Sequence, residues 1–510
     1  MQSILKSRVL ATVASVGFVA LSSFAVGCGD DDGGTSGTGA MDAGGTGGTG
    51  GTGGASGAGA TGGTGGDTDD SGIAGTGGTG GTGGGEPCDP SLETTDVTAN
   101  LTADTHWTCG TYTLKDIIYV TGNHTLTIDP GVRIEGDADL AEEGQVTALI
   151  ITRGSQINAV GTADEPIVFT SSKNPGKAAD WGGLVLLGQA TLNSPNCVGS
   201  NAVDCAGGHW ENVIEGLDPV LETSKFGGTD DASSCGTLKY ARIEYAGFEL
   251  QPNVELNGLS VGACGSGTTI SYVQVLRGSD DGIEMFGGTA GMDHVVISFS
   301  NDDGLDWDLG WRGKVQFLVV HQEPGCTGAT CDNGFEADNL GDNEIALPTS
   351  KPTIFNATLV GSATQRGMLL REGTQGVLRN MLVTGFSTAV DIRDLTAPVS
   401  TFWPGDLSIE QSCFFSNTTI GDADADLDDD QGFVEDDAIK AGARNNVFTV
   451  DPMLASVAVA GPDYRPASTM LGGKATPPAG MDTSATYCGA FEHGGDDWMA
   501  GWTAFPIPRE

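Results

Sequence analysis

The densest chemistry in this chain lies between Ser279 and Asp338. The segment reads Ser-Asp-Asp-Gly-Ile-Glu-Met-Phe at 279–286, Asn-Asp-Asp-Gly-Leu-Asp-Trp-Asp at 301–308 and Asp-Asn-Gly-Phe-Glu-Ala-Asp at 332–338. Two polar residues, a glycine, an apolar residue and an acid recur, usually with a second acid two places later. Nine of the carboxylates in these stretches form the candidate set: Asp280, Asp281, Glu284, Asp302, Asp303, Asp306, Asp308, Glu336 and Asp338. Brought together they form a set of hard oxygen ligands, and the metal they suit is calcium, which takes six to eight oxygens. Close carboxylates can also divide general-acid and general-base roles, so Asp302, Asp303 and Asp306 are the catalytic candidates. The third reading is structural. Asp and Asn beside glycine accept backbone N–H groups in turns, while the acids two places after glycine face water.

The spacing says what must position these residues. The motif glycines are Gly282, Gly304 and Gly334, so the steps are 22 and 30 residues. Repeats of that length are stacked supersecondary units. Short β-rich runs separated by Gly, Asn, Asp and Pro continue on both sides, as in Leu126–Ile128, Val132–Gly136, Ala148–Ile151 and Ile167–Thr170. They lie too close together for crossover helices, so the sheets must be wound directly as a parallel β-helix. Coils then sit about 4.8 Å apart. The position two after the glycine or alanine runs Glu284, Asp306, Glu336, Leu369, Asp391, and the position four after runs Phe286, Asp308, Asp338, Arg371, Arg393. Stacked acids repel unless protonated, solvated or bridged by a cation, and the arginines that follow can pair with them.

Several segments resemble a family of bacterial surface lipoproteins of myxobacterial and Bacteroidetes type. They are Leu126-Thr-Ile-Asp-Pro-Gly-Val132, Gly161-Thr-Ala-Asp-Glu-Pro-Ile-Val-Phe-Thr-Ser171, Asp180-Trp-Gly-Gly-Leu-Val185 and Leu238-Lys-Tyr-Ala-Arg-Ile-Glu-Tyr-Ala-Gly247. The resemblance covers roughly residues 98–510. It implies an all-β, right-handed parallel β-helix and says little about activity. Two narrower likenesses bear on chemistry. β-Helix pectate lyases place calcium between protein carboxylates and an acidic sugar. Asn301-Asp-Asp-Gly-Leu-Asp306 also resembles the Gly-Asp-Asp-Cys-Ile-Ala element of polygalacturonases, but the Gly-His-Gly and Arg-Ile-Lys elements of that family do not occur.

Residues 1–27 read as a lipoprotein signal peptide: Lys6 and Arg8, then a mostly apolar run ending Ala25-Val26-Gly27 before Cys28. The stretch resembles a lipobox, which makes Cys28 the lipidation site. Gly29 in place of Asp then implies the outer membrane, with the protein exported and surface-exposed. Residues 28–85 form the anchor and a tether, since 33–85 holds 27 glycines in 53 residues with no proline or aromatic. Such a chain cannot offset its ordering entropy and spans about 40 Å as a coil. Residues 86–460 are expected to form the β-helix, and 461–510 a C-terminal cap over the open edge of its last coil.

The chain has 510 residues and a net charge of −44, which repels nucleic acid and leaves divalent cations, basic partners and polysaccharide or cell-surface ligands. The ten cysteines left after Cys28 suit disulfides in an exported protein. Near-neighbour pairing gives Cys88–Cys109, Cys197–Cys205, Cys235–Cys264, Cys326–Cys331 and Cys413–Cys488. Residues 421–437 form a charged insertion, and Ala438–Ala443 a short helix. Trp107, Trp181, Trp210, Trp307, Trp311 and Trp502 are read as core or as platforms on which sugars could stack. The expected function is a binding, adhesion or envelope module. The alternative is a polysaccharide-active enzyme, lyase or hydrolase, using the acidic face 280–338.

Overall fold

A computed structural model describes residues 87–193, 211–251, 254–328, 330–341, 343–394, 398–421 and 432–506. The expected leader, the expected lipidation site Cys28 and the expected tether lie outside them, as do Cys197, Cys205, Trp210 and the acidic run 422–430. The described chain is a right-handed parallel β-helix. One wall is a sheet of nine parallel strands. It runs from Ile117–Val120 through Ala148–Ile151, Gly183–Leu187, Leu259–Gly262, Ile283–Phe286, Leu305–Asp308, Phe335–Ala337 and Met368–Arg371 to Asp391–Arg393. The other walls belong to a sheet of 16 strands. Early coils use two short strands there, such as Gln156–Val160 and Ile167–Ser171, and both pair with the single long strand Gly236–Glu244 of the next coil.

The long strands bend at one residue each. Tyr240, Tyr272, His294, Phe317 and Asn356 have φ of 48°, 55°, 52°, 59° and 54°. Left-handed backbone is costly for residues other than Gly, Asn and Asp. Stacking offsets the cost here: Tyr240 lies on Tyr272 at 4.5 Å, Tyr272 on His294 at 4.3 Å, and His294 against Phe317 at 4.7 Å. Inside the coils Ile283, Met285, Leu305, Trp307, Phe335 and Ala337 are fully buried and belong to one continuous core. The motif glycine is explained by that core. A Cβ on Gly282 would stand 2.2 Å from Cγ2 of Ile297, and one on Gly304 would stand 2.4 Å from Cγ1 of Val320.

Four of the expected disulfides form: Cys88–Cys109, Cys235–Cys264, Cys326–Cys331 and Cys413–Cys488. The short helix begins earlier than expected, over Glu435–Lys440, with a 3₁₀ turn at Gly442–Arg444. It closes the last coil by seating Ile439 in the main core, with Phe433 and Phe448 packed beside it.

The segment 461–506 therefore does not cap the last coil. It runs back along the flank of the large sheet as a strap. Tyr464, Phe491, Met499 and Trp502 bury against Val296, Val319 and Val360. Side-chain amides of the large sheet hold the strap's backbone at several points. Gln316 donates to Asp482 O at 3.1 Å and accepts from Asp482 N at 2.7 Å. Gln274 holds Ala504 in the same way, at 2.7 and 2.8 Å. An amide offers one donor edge and one acceptor edge, so it replaces one rung of a ladder.

Candidate functional site

The three motif copies stack in register. Ser260, Glu284, Asp306, Glu336, Leu369 and Asp391 are successive partners across the nine-stranded wall, and Phe286 opposes Asp308. Side chains alternate along a strand, so Ile283 and Met285 enter the core while Glu284 and Phe286 face outward. The turn before each strand adds a second column. Asp281 Oδ1 accepts the N–H of Asp303 at 3.0 Å, and Asp303 Oδ1 accepts the N–H of Asn333. These two buried carboxylates tie coil to coil, which is the turn role expected of them.

The outward acids are not open to water. The described residues flanking the coil strand Gly236–Glu244, within 211–235 and 245–258, fold over the earlier part of the wall. Ile214, Leu217, Phe226 and Leu256 bury against Ile150, Val185, Leu187, Phe286 and Leu309. Glu336 and Asp338 are only 18% and 16% exposed. Arg371 forks onto Asp338 at 3.0 and 2.7 Å and reaches Glu336 as well. Arg393 turns instead to Asp391. Among the described residues, Asp280, Asp281, Glu284, Asp302, Asp303, Asp306 and Asp308 form no ion pair with Lys, Arg or His.

Desolvation, reinforced by neighbouring carboxylates, raises these acids. Asp280 is pushed up to about 7 by burial and then by Asp302. Asp281, Glu284, Asp303, Asp306 and Asp308 lie well above the carboxylate range for the same two reasons. Asp302 is raised by burial and by Asp332. Burial also raises Glu336 and Asp338, against the pull of Arg371. Three acids that the motif did not mark join the field. Glu372 is pushed up to about 7 by burial and Asp338. Glu215 is raised by burial, and Glu255 by burial, Glu249 and Glu215. Glu372 follows Arg371 directly and could have been read from the coil register. Glu215 and Glu255 come from the folded-over segments, which have no repeat.

Oxygen ligands converge at three places: Asp280 with Asp281 and Asp302; Asp281 with Glu284 and Asp306; Asp302 with Asp303 and Asp332. Within each group one oxygen per residue lies within 4.8 Å of the others. Four enclosed oxygens nearby accept no hydrogen bond: Oδ1 of Asp306, Asp308, Asn257 and Asn333. Asn257 donates to Glu284 at 2.5 Å and Asn333 to Glu336 at 3.2 Å, so both amides belong to the cluster. The donor set is all oxygen, which fits calcium and not the softer thiophilic metals.

Among the described residues, the five tryptophans read as core or sugar platforms belong to the core. Trp181, Trp307, Trp311 and Trp502 are fully buried, and Trp107 nearly so. Each of the four gives its indole N–H to a protein oxygen, as Trp307 does to Thr374 at 3.0 Å.

Residues 97–503 match the pectate-lyase-like β-helix domain family, most of the chain and all of the acidic ladder. The chain belongs to that family. No curated protein and no solved structure matches it. In this chain the nine-stranded wall carries a half-buried field of carboxylates. Protonated, these acids can donate hydrogen bonds. Ionised, they need a cation beside them, because like charges one coil apart in a dry site cannot all ionise.

Proposed function

We propose that this pectate-lyase-like β-helix is a lipid-anchored protein of the cell surface, held by Cys28 in the outer membrane, that binds a cell-surface or polysaccharide partner and carries calcium on its acidic wall. The observation that carries the calcium reading is the pair Asp306 and Asp308. Each keeps an enclosed carboxylate oxygen without a donor. An unpaired buried charge is expensive, and a divalent cation among Asp281, Glu284 and Asp306 would compensate it. Asp303, one of the three catalytic candidates, already accepts the backbone N–H of Asn333. That supports binding over catalysis.

Calorimetry and thermal melting of chelator-treated protein test this reading. Calcium chloride should bind and raise Tm, because a ligand of the folded state alone stabilises by about 2.7 kcal/mol at a hundred times its Kd. Asp306→Asn with Asp308→Asn should abolish the shift. An equal shift in that double variant would place the ion elsewhere. The second reading, a polysaccharide lyase or hydrolase working at 280–338, is equally compatible with the family match. Turnover of uronic or neutral glycans, lost in Asp303→Asn, would establish it.

A further inference from the structure

A second cavity lies away from the acidic wall, on the opposite sheet beside the strap. Its volume is about 580 Å³, within the range of small-ligand sites. Its floor is the column of left-handed residues at His294 and Phe317, with Ile270 and Met292. Hydroxyls of the coil turns line one side, and Gly480, Met481 and Asp482 of the strap form the other. The ionised lining balances. Arg312, Lys314, Asp293 and Asp482 line it together, formally two charges of each sign. On a chain of net charge −44 such a patch is unusual. It removes the electrostatic preference that the rest of the surface has for cations.

His294 is the polar centre. Its ring is fixed between Tyr272, at 4.3 Å and 4° from parallel, and Phe317 at 4.7 Å, with Trp498 edge-on at 5.1 Å. Nδ1 is bonded to Asp293 Oδ1 at 2.6 Å, and Ser271 donates to the same oxygen at 2.8 Å. Asp293 therefore orients the imidazole and selects the tautomer with the proton on Nδ1. That leaves Nε2 as an acceptor, and it has no partner among the described residues. Arg312 is clamped by Asp231 at 3.0 Å and Lys314 by Ala479 O at 3.0 Å. Both cations are thus positioned by the protein, Arg312 by a carboxylate and Lys314 by a backbone carbonyl.

A rigid imidazole acceptor, prepaired planar polar groups and an apolar floor recognise hydroxyls on a hydrophobic ring. We infer that this cavity is a second binding site, distinct from the acidic wall, for a neutral oligosaccharide of about two sugar rings, with His294 Nε2 accepting a sugar hydroxyl. The site needs both the coil column and the strap, since Met481 and Asp482 close it.

The test presents the full chain to an array of neutral gluco-, manno-, galacto- and xylo-oligosaccharides beside uronic-acid and sulfated counterparts, followed by calorimetry on the ligands retained. Wild type should bind at least one neutral oligosaccharide, with chelator present as well as absent. His294→Phe keeps the aromatic stack and removes both ring nitrogens, so it should fold with unchanged Tm and weaken that binding at least tenfold. Met481→Trp, which fills the cavity from the strap side, should abolish it. Retention of no neutral glycan would overturn the inference, as would preference for the charged glycans. Undiminished binding by both variants would place the glycan elsewhere. Binding lost in chelator or in the Asp306→Asn, Asp308→Asn protein would assign it to the acidic wall.

Discussion

At the scale of single residues, the acidic wall is a store of protons. Its carboxyls have folded pKa values above their unfolded ones, so the folded state retains protons that the unfolded chain has released. Stability then falls as pH rises from the ordinary carboxylate range through the folded values, about 7 for Asp280 and Glu372 and well above the carboxylate range for Asp281, Glu284, Asp303, Asp306 and Asp308. His321 works the other way. Burial lowers it to about 4, so it adds stability as pH climbs to its unfolded value near 6.5. The acids are therefore read cleanly between about pH 6.5 and 8. In chelator, Tm should drop across that interval, with about 1.4 kcal/mol lost per pH unit for each proton retained. Calcium should restore it at pH 8. A Tm that is flat or rising in chelator would refute the raised values. The motif made these acids legible in the sequence, including their pairing with Arg371. Their burial was not legible, because it comes from the segment that carries Ile214 and Phe226, whose sequence has no repeat to place it.

At the scale of elements, the strap is held by amide side chains, a small aromatic core and one covalent tie. Cys413–Cys488 closes a span of 75 residues, for which the chain-entropy model gives a stabilisation of about 4 kcal/mol. Replacing both cysteines with serine should lower Tm and expose 461–506 to limited proteolysis, read by mass spectrometry of the first fragments. If cleavage began within the coils instead, the strap would not be the weakest element. Sequence reasoning placed this segment over the end of the helix because its aromatics suggested a cap. The end is closed by the helix Glu435–Lys440, whose Ile439 completes the last layer of the core. Gln274, Gln316, Asn356 and Asn380 mark the true path of the strap. They are unremarkable in one dimension and become a docking track only when the coils stack.

At the scale of the whole molecule, a charged solenoid behind a glycine-rich segment and a lipobox-like cysteine suits display at a membrane surface. Cys28→Ser should move the protein from the membrane fraction to the soluble one, and persistent membrane association would refute the anchor. The sequence by itself determined the fold and the register, because a glycine recurring where no Cβ fits and apolar residues alternating beside it admit one stacking, with Glu284, Asp306 and Glu336 in line. Pairing each cysteine with its neighbour in chain order also anticipated four disulfides, which the structure forms. Tertiary structure alone decided how dry the acids are, which tryptophans are spent in the core, where the strap runs and that His294 faces a cavity. Those properties depend on segments far apart in sequence closing over a surface, and local spacing carries no record of what will cover it.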